Sequence, residues 1–215
     1  MKKILMPALL GVALLAAPAA FAQKAVKAPK MAPVAIATYK VQPQLSTLGW
    51  EGKAVGHGHN GTLQFTGGDV QVNGTQIVGG TVTVDMKTLK ATDITDAGKQ
   101  SGFVGHMSSA EFFDVAKYPT STFKITKVTP IAGAAADANN VTVTGDMTIH
   151  GTTQSVSFPA KAGVKGGVAA VTGKLTIDRT KFGLTTSSKT LSSTLADKVI
   201  YDEIMLDFNV IAKNG

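Results

Sequence analysis

The chain has 215 residues, with 21 Lys and Arg against 14 Asp and Glu, for a formal net charge of +7. With 44% hydrophobic and 16% charged residues it is too apolar for a disordered polymer, and its 23 glycines follow no G-X-Y period, which excludes collagen. Lys2, Lys3, Lys24, Lys27 and Lys30 all precede the first acidic residue, Glu51; without those five lysines the remainder carries only +2 and a single arginine, Arg179, which excludes a nucleic-acid binder.

The first segment has three parts: charged Lys2-Lys3, an apolar run from Ile4 to Ala17, and the small-residue site Ala20-Phe21-Ala22. This pattern predicts a secretory signal peptide over residues 1–22, a periplasmic address, and no stable membrane insertion once it is cleaved. The chain has no cysteine, so neither a lipoprotein anchor nor a disulfide is available, and the exported domain must be held by its core. Residues 23–38, with Pro29, Pro33 and three lysines, are predicted to be a flexible tether.

From Tyr39 onward the pattern is that of strands. The 26 threonines and 21 valines of the chain favour β-structure. Asn73-Gly74 between two apolar-alternating runs predicts a two-residue hairpin. Val82, Val84 and Met86 alternate with polar residues, as do Phe123 and Ile125 within Ser121 to Val128. Val141 and Val143, Met147 and Ile149, Val156 and Phe158, and Leu175 and Ile177 continue the alternation. So do Ile204, Leu206, Phe208 and Val210. A period of two places one face against an apolar interior and the other in water. Gly151 and Gly166-Gly167 mark further turns. About eight strands joined by short connections predict an all-β, largely antiparallel sheet, either a sandwich or a closed barrel.

Two segments break the alternation. In Asp93 to Tyr118, the spacing of Phe103, Met107, Ala110 and Phe113 predicts a short helical insertion despite Gly102 and Gly105. On such a helix Phe113 faces the barrel as a buried plug at one end while Phe112 points away, and Tyr118-Pro119 turns helix into strand over Lys117 to Thr120. Thr185 to Lys198, rich in Ser and Thr, is predicted to be a loop or weak helix, long enough to suggest a functional connection.

The stretch Gly105 to Phe123, GHMSSAEFFDVAKYPTSTF, resembles the H-L-x-S-x-x-F-F-D-x-x-x-Y-P-x-x-x-F signature of the YceI-like family, with Met107 in place of Leu. Gly145-Asp146-Met147-Thr148-Ile149-His150-Gly151-Thr152-Thr153, Asp178-Arg179-Thr180-Lys181-Phe182-Gly183 and Tyr201-Asp202-Glu203-Ile204 resemble further family motifs in the family's order. The resemblance spans Tyr39 to Ala212 within a domain at 39–215. It implies an extended, eight-stranded, lipocalin-like antiparallel barrel whose apolar lumen binds a polyisoprenoid, a quinone-like lipid or another amphiphile, with no cofactor.

On that reading the lumen candidates are Trp50, Phe65, Val82, Val84, Met86, Phe103, Met107, Phe113, Phe123, Ile125, Phe158, Leu175, Ile177, Phe182, Ile204, Leu206 and Phe208. Arg179 is either a contact to a ligand head group or half of a structural ion pair with Asp178, Asp202 or Glu203. His57 and His59, at i and i+2, would share one face of a strand, but no spacing supplies the further ligands a zinc site needs. His106 and His150 are expected in structural hydrogen bonds. No G-x-S-x-G, H-E-x-x-H or P-loop is present, so no catalytic residue is assigned and the expected role is not that of an enzyme. The rival readings are an envelope stress or interaction module with a filled core, and a metal-dependent enzyme using His57 and His59.

Overall fold

The computed structural model describes residues 35–191 and 199–215. The expected leader, most of the expected tether, and residues 192–198 of the long connection lie outside them. Of the expected tether, Ala37 and Thr38 belong to strand β1, where they pair with Val72 and Gln71.

Among the described residues the strands are β1 (Ala37–Val41), β2 (Thr47–Ala54), β3 (His57–Asn73), β4 (Gln76–Ala91), β5 (Thr120–Pro130), β6 (Val141–Ile149), β7 (Thr152–Lys165), β8 (Val168–Asp178) and β9 (Ile200–Asn214), with one α-helix, α1 (Ala97–Ser108), between β4 and β5. Every ladder between these strands is antiparallel. The order from β3 through β2, β9, β8, β7, β6 and β5 to β4 closes on itself through the β3–β4 pairing. The nine segments fill eight strand positions, because β1 and β2 share one. Both pair with β3 and β9, β1 through Tyr39–Val70 and Val41–Ala212, β2 through Leu48–Leu63 and Leu48–Phe208. A 3-10 turn at Pro43–Leu45 separates them. There the Ser46 hydroxyl donates to the Gln42 carbonyl at 2.8 Å and accepts from the Ile211 N–H at 3.0 Å, so a side chain replaces the missing ladder bond. The fold is thus an all-β, closed, eight-stranded antiparallel barrel with one helical insertion.

The alternation read from the sequence sets which side chains enter the barrel. Val84 and Met86 are buried and Val82 half-buried, while Lys87 and Lys90 face out. In β5 the phase slips between Ile125 and Lys127, a bulge that brings Val128 to the inner face although it lies three residues after Ile125. The hairpin expected at Asn73-Gly74 sits one residue later: Asn73 still pairs with Gln76, and Gly74 (φ 62°) and Thr75 form the loop. His150 and Gly151, at φ 51° and 73°, connect β6 to β7 in the two-residue geometry that matches strand twist.

Barrel closure demands unusually close approach between β3 and β4. A Cβ on Gly61 would lie 1.7 Å from the Lys90 carbonyl oxygen and 2.7 Å from the Trp50 ring. At Gly68, where φ is 137°, it would lie 2.1 Å from the Thr81 carbonyl oxygen. The ladder shifts register three times along these two strands, and the glycines permit the bends that go with those shifts.

One end of the barrel is filled. Val41, Val72, Ala160, Ala169 and Ala212 are buried there, with Ala169 and Val41 both paired to Ala212. Small side chains let the opposing walls meet.

The β8–β9 crossing is held by Arg179, only 3% exposed. Its Nε donates to the Tyr201 carbonyl at 3.1 Å, Nη1 to Leu184 at 2.5 Å, and Nη2 to Ile200 at 3.3 Å. Nη2 also lies 3.5 Å from Asp202 Oδ1. Asp202 Oδ2 accepts from the Thr190 hydroxyl at 2.7 Å and N–H at 3.2 Å. Burial raises the Asp202 pKa, but the hydrogen bonds from Thr190 and Ser188 and the Arg179 charge outweigh it, so the carboxyl sits below its ordinary value. Of the sequence alternatives for Arg179, the structural ion pair with Asp202 is the one present.

Two predictions follow from the backbone and the clamp. Gly61→Ala is expected to lose about 3 kcal/mol of stability in urea denaturation, while Gly163→Ala, whose added Cβ meets nothing within 4 Å, is expected to gain about 0.4–1 kcal/mol. Asp202→Asn is expected to lose roughly 3 kcal/mol at neutral pH by leaving Arg179 buried and unpaired. Because the folded pKa of Asp202 is depressed, its contribution is complete above the unfolded value of about 3.9 and is lost as pH falls through the folded value. The stability gap between wild type and variant should therefore narrow below about pH 4; a constant gap would refute this account.

Candidate ligand cavity

Between the filled end and α1 the barrel encloses a cavity of about 400 Å³. Its wall follows the alternation strand by strand: Trp50 from β2, Phe65 from β3, Val82, Val84 and Met86 from β4, Phe123 and Ile125 from β5, and Phe158 from β7. Leu175 and Ile177 of β8 and Ile204, Leu206 and Phe208 of β9 complete the ring, and Phe103, Met107 and Phe113 approach from the insertion. Phe123 and Phe158 lie 5.6 Å apart, and Phe158 meets Phe208 edge-on at 5.5 Å. Gly145 makes room for the Phe123 ring, whose Cζ would be 2.4 Å from a Cβ there.

Phe182 departs from expectation. It is 1% exposed but does not line the cavity; it belongs to the 3-10 turn Arg179–Phe182, packed in the core beyond the wall. The turn is capped by Asp178, whose Oδ1 accepts from the Thr180 N–H at 3.0 Å and hydroxyl at 2.6 Å. Arg179 touches the cavity edge, but its guanidinium is committed to three carbonyls and Asp202, which leaves the head-group role without a free fork. Residues missing from the candidate set include Leu48, Val70, Val143, Met147, Val171 and Val210, all on the wall. Val143, Met147 and Val210 sit in strands whose alternation was already visible, so carrying that period through each strand recovers them.

The insertion differs most from its prediction. Asp96 caps α1, its Oδ1 accepting the Lys99 N–H at 2.8 Å, and the helix stops at Ser108 rather than at Lys117. Three glycines weaken it, and none of its residues is buried. Phe112 and Phe113 therefore lie in the following turns, where backbone bonds such as Phe113 N–H to Met107 and Asp114 N–H to Ser109 set their directions. Both line the cavity, and Phe112, expected to point away, is the more deeply buried of the two. The extended exit after Pro119 is as expected, with β5 beginning at Thr120.

At this end Lys53, His57, His59 and His106 reach the rim of an otherwise apolar wall. Gln100 ties α1 to the end of β4, donating to the carbonyls of Ala91 at 2.6 Å and Ile94 at 3.1 Å. Phe103 stacks on Trp50 at 6.1 Å and touches His59 at 4.6 Å. His57 begins β3 and shares a face with His59, the rings 5.9 Å apart. His59 Nδ1 lies 2.8 Å from Asp93 Oδ2. Burial raises the Asp93 pKa, but the hydrogen bonds from His59 and Asn60 hold it below the usual range. Among the described residues no group of three or more His, Asp or Glu is placed to hold a metal ion. His106 lies 3.6 Å from Glu111 and stacks edge-on with Phe112, whereas His150 occupies its turn against Tyr118 at 4.6 Å.

The YceI-like domain profile matches residues 39–212. A UPF0312 protein of Pseudomonas putida is 30% identical over 128 residues, which cover 58% of this chain and 61% of that protein; the chain thus spans under two thirds of the curated relatives it matches. The structure of BcnA from Burkholderia cenocepacia superposes with a TM-score of 0.62 at 22% identity, covering 80% of this chain and 99% of that one. A polyisoprenoid binding domain from Saccharophagus degradans superposes with a TM-score of 0.57 at 17% identity, covering 84% and 100%. The solved structures share the barrel, and the profile covers nearly all of its strands: the chain belongs to the YceI-like family.

Proposed function

We propose that this protein binds an apolar amphiphile, of the polyisoprenoid or quinone-like class, inside its barrel and carries or stores it in the periplasm without chemical change. The observation that carries this reading is the cavity of about 400 Å³ walled by Phe, Leu, Ile, Val and Met. A wall of this kind replaces the cost of hydrating a hydrocarbon chain, and each buried CH₂ stabilises the complex by about 0.8 kcal/mol. Cavity-lining residues of β9 run from Ile200 to Val210. Ten residue steps at ~3.3 Å, tilted by ~40°, give an apolar length of roughly 25 Å. The filled end gives the chain no second exit, so a longer tail folds back within the lumen or leaves past α1. The polyisoprenoid binding domain that shares the barrel supports the ligand class, and the charged, apolar and small-residue pattern of residues 1–22 supports the periplasmic address.

The test is mass spectrometry of organic extracts from untagged protein purified from the bacterial envelope. An isoprenoid or related lipid at near-stoichiometric yield is expected in the native protein; delipidated protein that takes up no lipid would sink the proposal. A second measurement uses Leu206→Phe, which places a larger ring on the cavity wall. In a packed core such a change costs about 1–3 kcal/mol. Here the melting temperature of the delipidated protein should hold or rise, while bound lipid falls severalfold.

A further inference from the structure

The period of two leaves one gap in the inner row of β6 and one in that of β8. Gly145 stands between Val143 and Met147, and Gly173 between Val171 and Leu175; all four flanking side chains line the cavity. The gaps are filled from the neighbouring strands. Phe123, Phe158 and Phe208 come from β5, β7 and β9, which alternate with β6 and β8 around the barrel. Strands two apart are separated by about 9–10 Å, yet Phe123 and Phe158 lie only 5.6 Å apart, and Phe158 and Phe208 5.5 Å. The rings therefore lean over the strand between them. A Cβ on Gly145 would be 2.4 Å from Phe123 Cζ, and one on Gly173 would be 3.1 Å from Phe208 Cζ. The two glycines are the seats of those rings.

The cavity continues past the rings. Val210 and Val171, paired to each other, lie one inward-facing step nearer the filled end than Phe208 and Gly173, and both still line it. Val143 lies likewise beyond Gly145. Only past these valines do Ala169 and Ala212 bring the walls together. A ring displaced from its seat has packed strands behind it and open space in front, so it turns into the lumen and cuts off this last stretch. Two residue steps at ~3.3 Å, tilted by ~40°, make the stretch about 5 Å deep, the length of about four methylenes.

We propose that Gly145 and Gly173 are specificity-determining positions: by seating Phe123 and Phe208 against the wall they keep the deepest part of the lumen open, and so set the length of apolar tail the protein accepts. The proposal rests on the reading of the lumen as a lipid cavity and adds the positions that fix its working depth.

The experiment uses straight-chain primary alcohols from octanol to eicosanol as rulers. Each is delivered from cyclodextrin to delipidated protein, and its dissociation constant is measured by displacement of a fluorescent fatty alcohol. In the wild type, affinity should rise about fourfold with each added methylene until the tail reaches the floor, and then level off. The variant is Gly173→Val, because a Cβ alone at 173 is met by a small shift of the ring, whereas the valine methyls fill the seat. Gly145 is left intact because a Cβ there would also lie 2.5 Å from the Lys124 carbonyl oxygen. In Gly173→Val the levelling should come about four methylenes earlier, with shorter alcohols bound as in the wild type. Adding Phe208→Ala removes the displaced ring and should restore the wild-type length. A further measurement needs no variant: octadecanol with a terminal diazirine should label Val143, Val171 or Val210 of the wild-type protein on irradiation. Levelling at the same length in wild type and folded Gly173→Val, an equal loss at every length, or no restoration in the double variant would overturn the proposal while leaving the lipid-binding reading intact. So would tail labelling confined to the α1 side of the rings, which decides even if the variants do not fold. Failure of every alcohol to bind the wild type would remove both readings.

Discussion

Closure of the barrel depends on two backbones approaching more closely than a side chain would permit. β3 and β4 are the longest strands, and they must both complete the ring and bend around it. Gly61 and Gly68 let the facing carbonyls of Lys90 and Thr81 occupy the space a Cβ would take. The resulting register shifts redirect the inner faces of both strands, so that Phe65 and Val84, directly paired, meet the same cavity. The β3–β4 pairing joins the two ends of the strand order, so among the described residues no strand is left at the edge of an open sheet.

Closure divides the interior unequally. At one end alanine and valine bring the walls into contact; in the middle, phenylalanines stand on opposing strands without filling the space between them. Large aromatic rings can leave a void as readily as fill one, because they are rigid and meet edge-on at fixed angles. Phe158 meets Phe208 edge-on and Phe123 at a 45° tilt, each ring about 5.5 Å from the next. The cavity is therefore a property of side-chain geometry rather than of hydrophobic content.

The end beneath α1 has a different character. The helix has no buried residue and is held by Gln100, by Phe103 against Trp50 and His59, and by the turns that follow. Few apolar contacts and three glycines place it at the low-stability end of the structure, where elements that admit a ligand are found. The Arg179–Asp202 clamp stands opposite in character: buried, charged and hydrogen-bonded, it fixes the start of β9 and the loop through Leu184. A rigid wall with one weakly held cover is what a container for an apolar ligand requires.

Alternation in Val82-Thr83-Val84-Asp85-Met86 and in Ile204 to Val210 was enough to identify strands, their inner faces and most of the cavity wall, because a pleated strand sends successive side chains to opposite sides whatever it pairs with. The motif at Gly105 to Phe123 was enough to indicate the family. The sequence by itself could not separate Phe182, buried in a turn, from Phe158, on the wall: both are apolar and both are buried. Nor could it place Phe112, since helical spacing applies only if the helix continues, and α1 ends at Ser108. The commitment of Arg179 to the carbonyls of Leu184, Ile200 and Tyr201 and the pairing of Trp50 with an inner face that also carries His59 join residues far apart in the chain. Local periodicity determined which side chains turn inward; only closure of the ring decided which of them meet one another and which face the empty space.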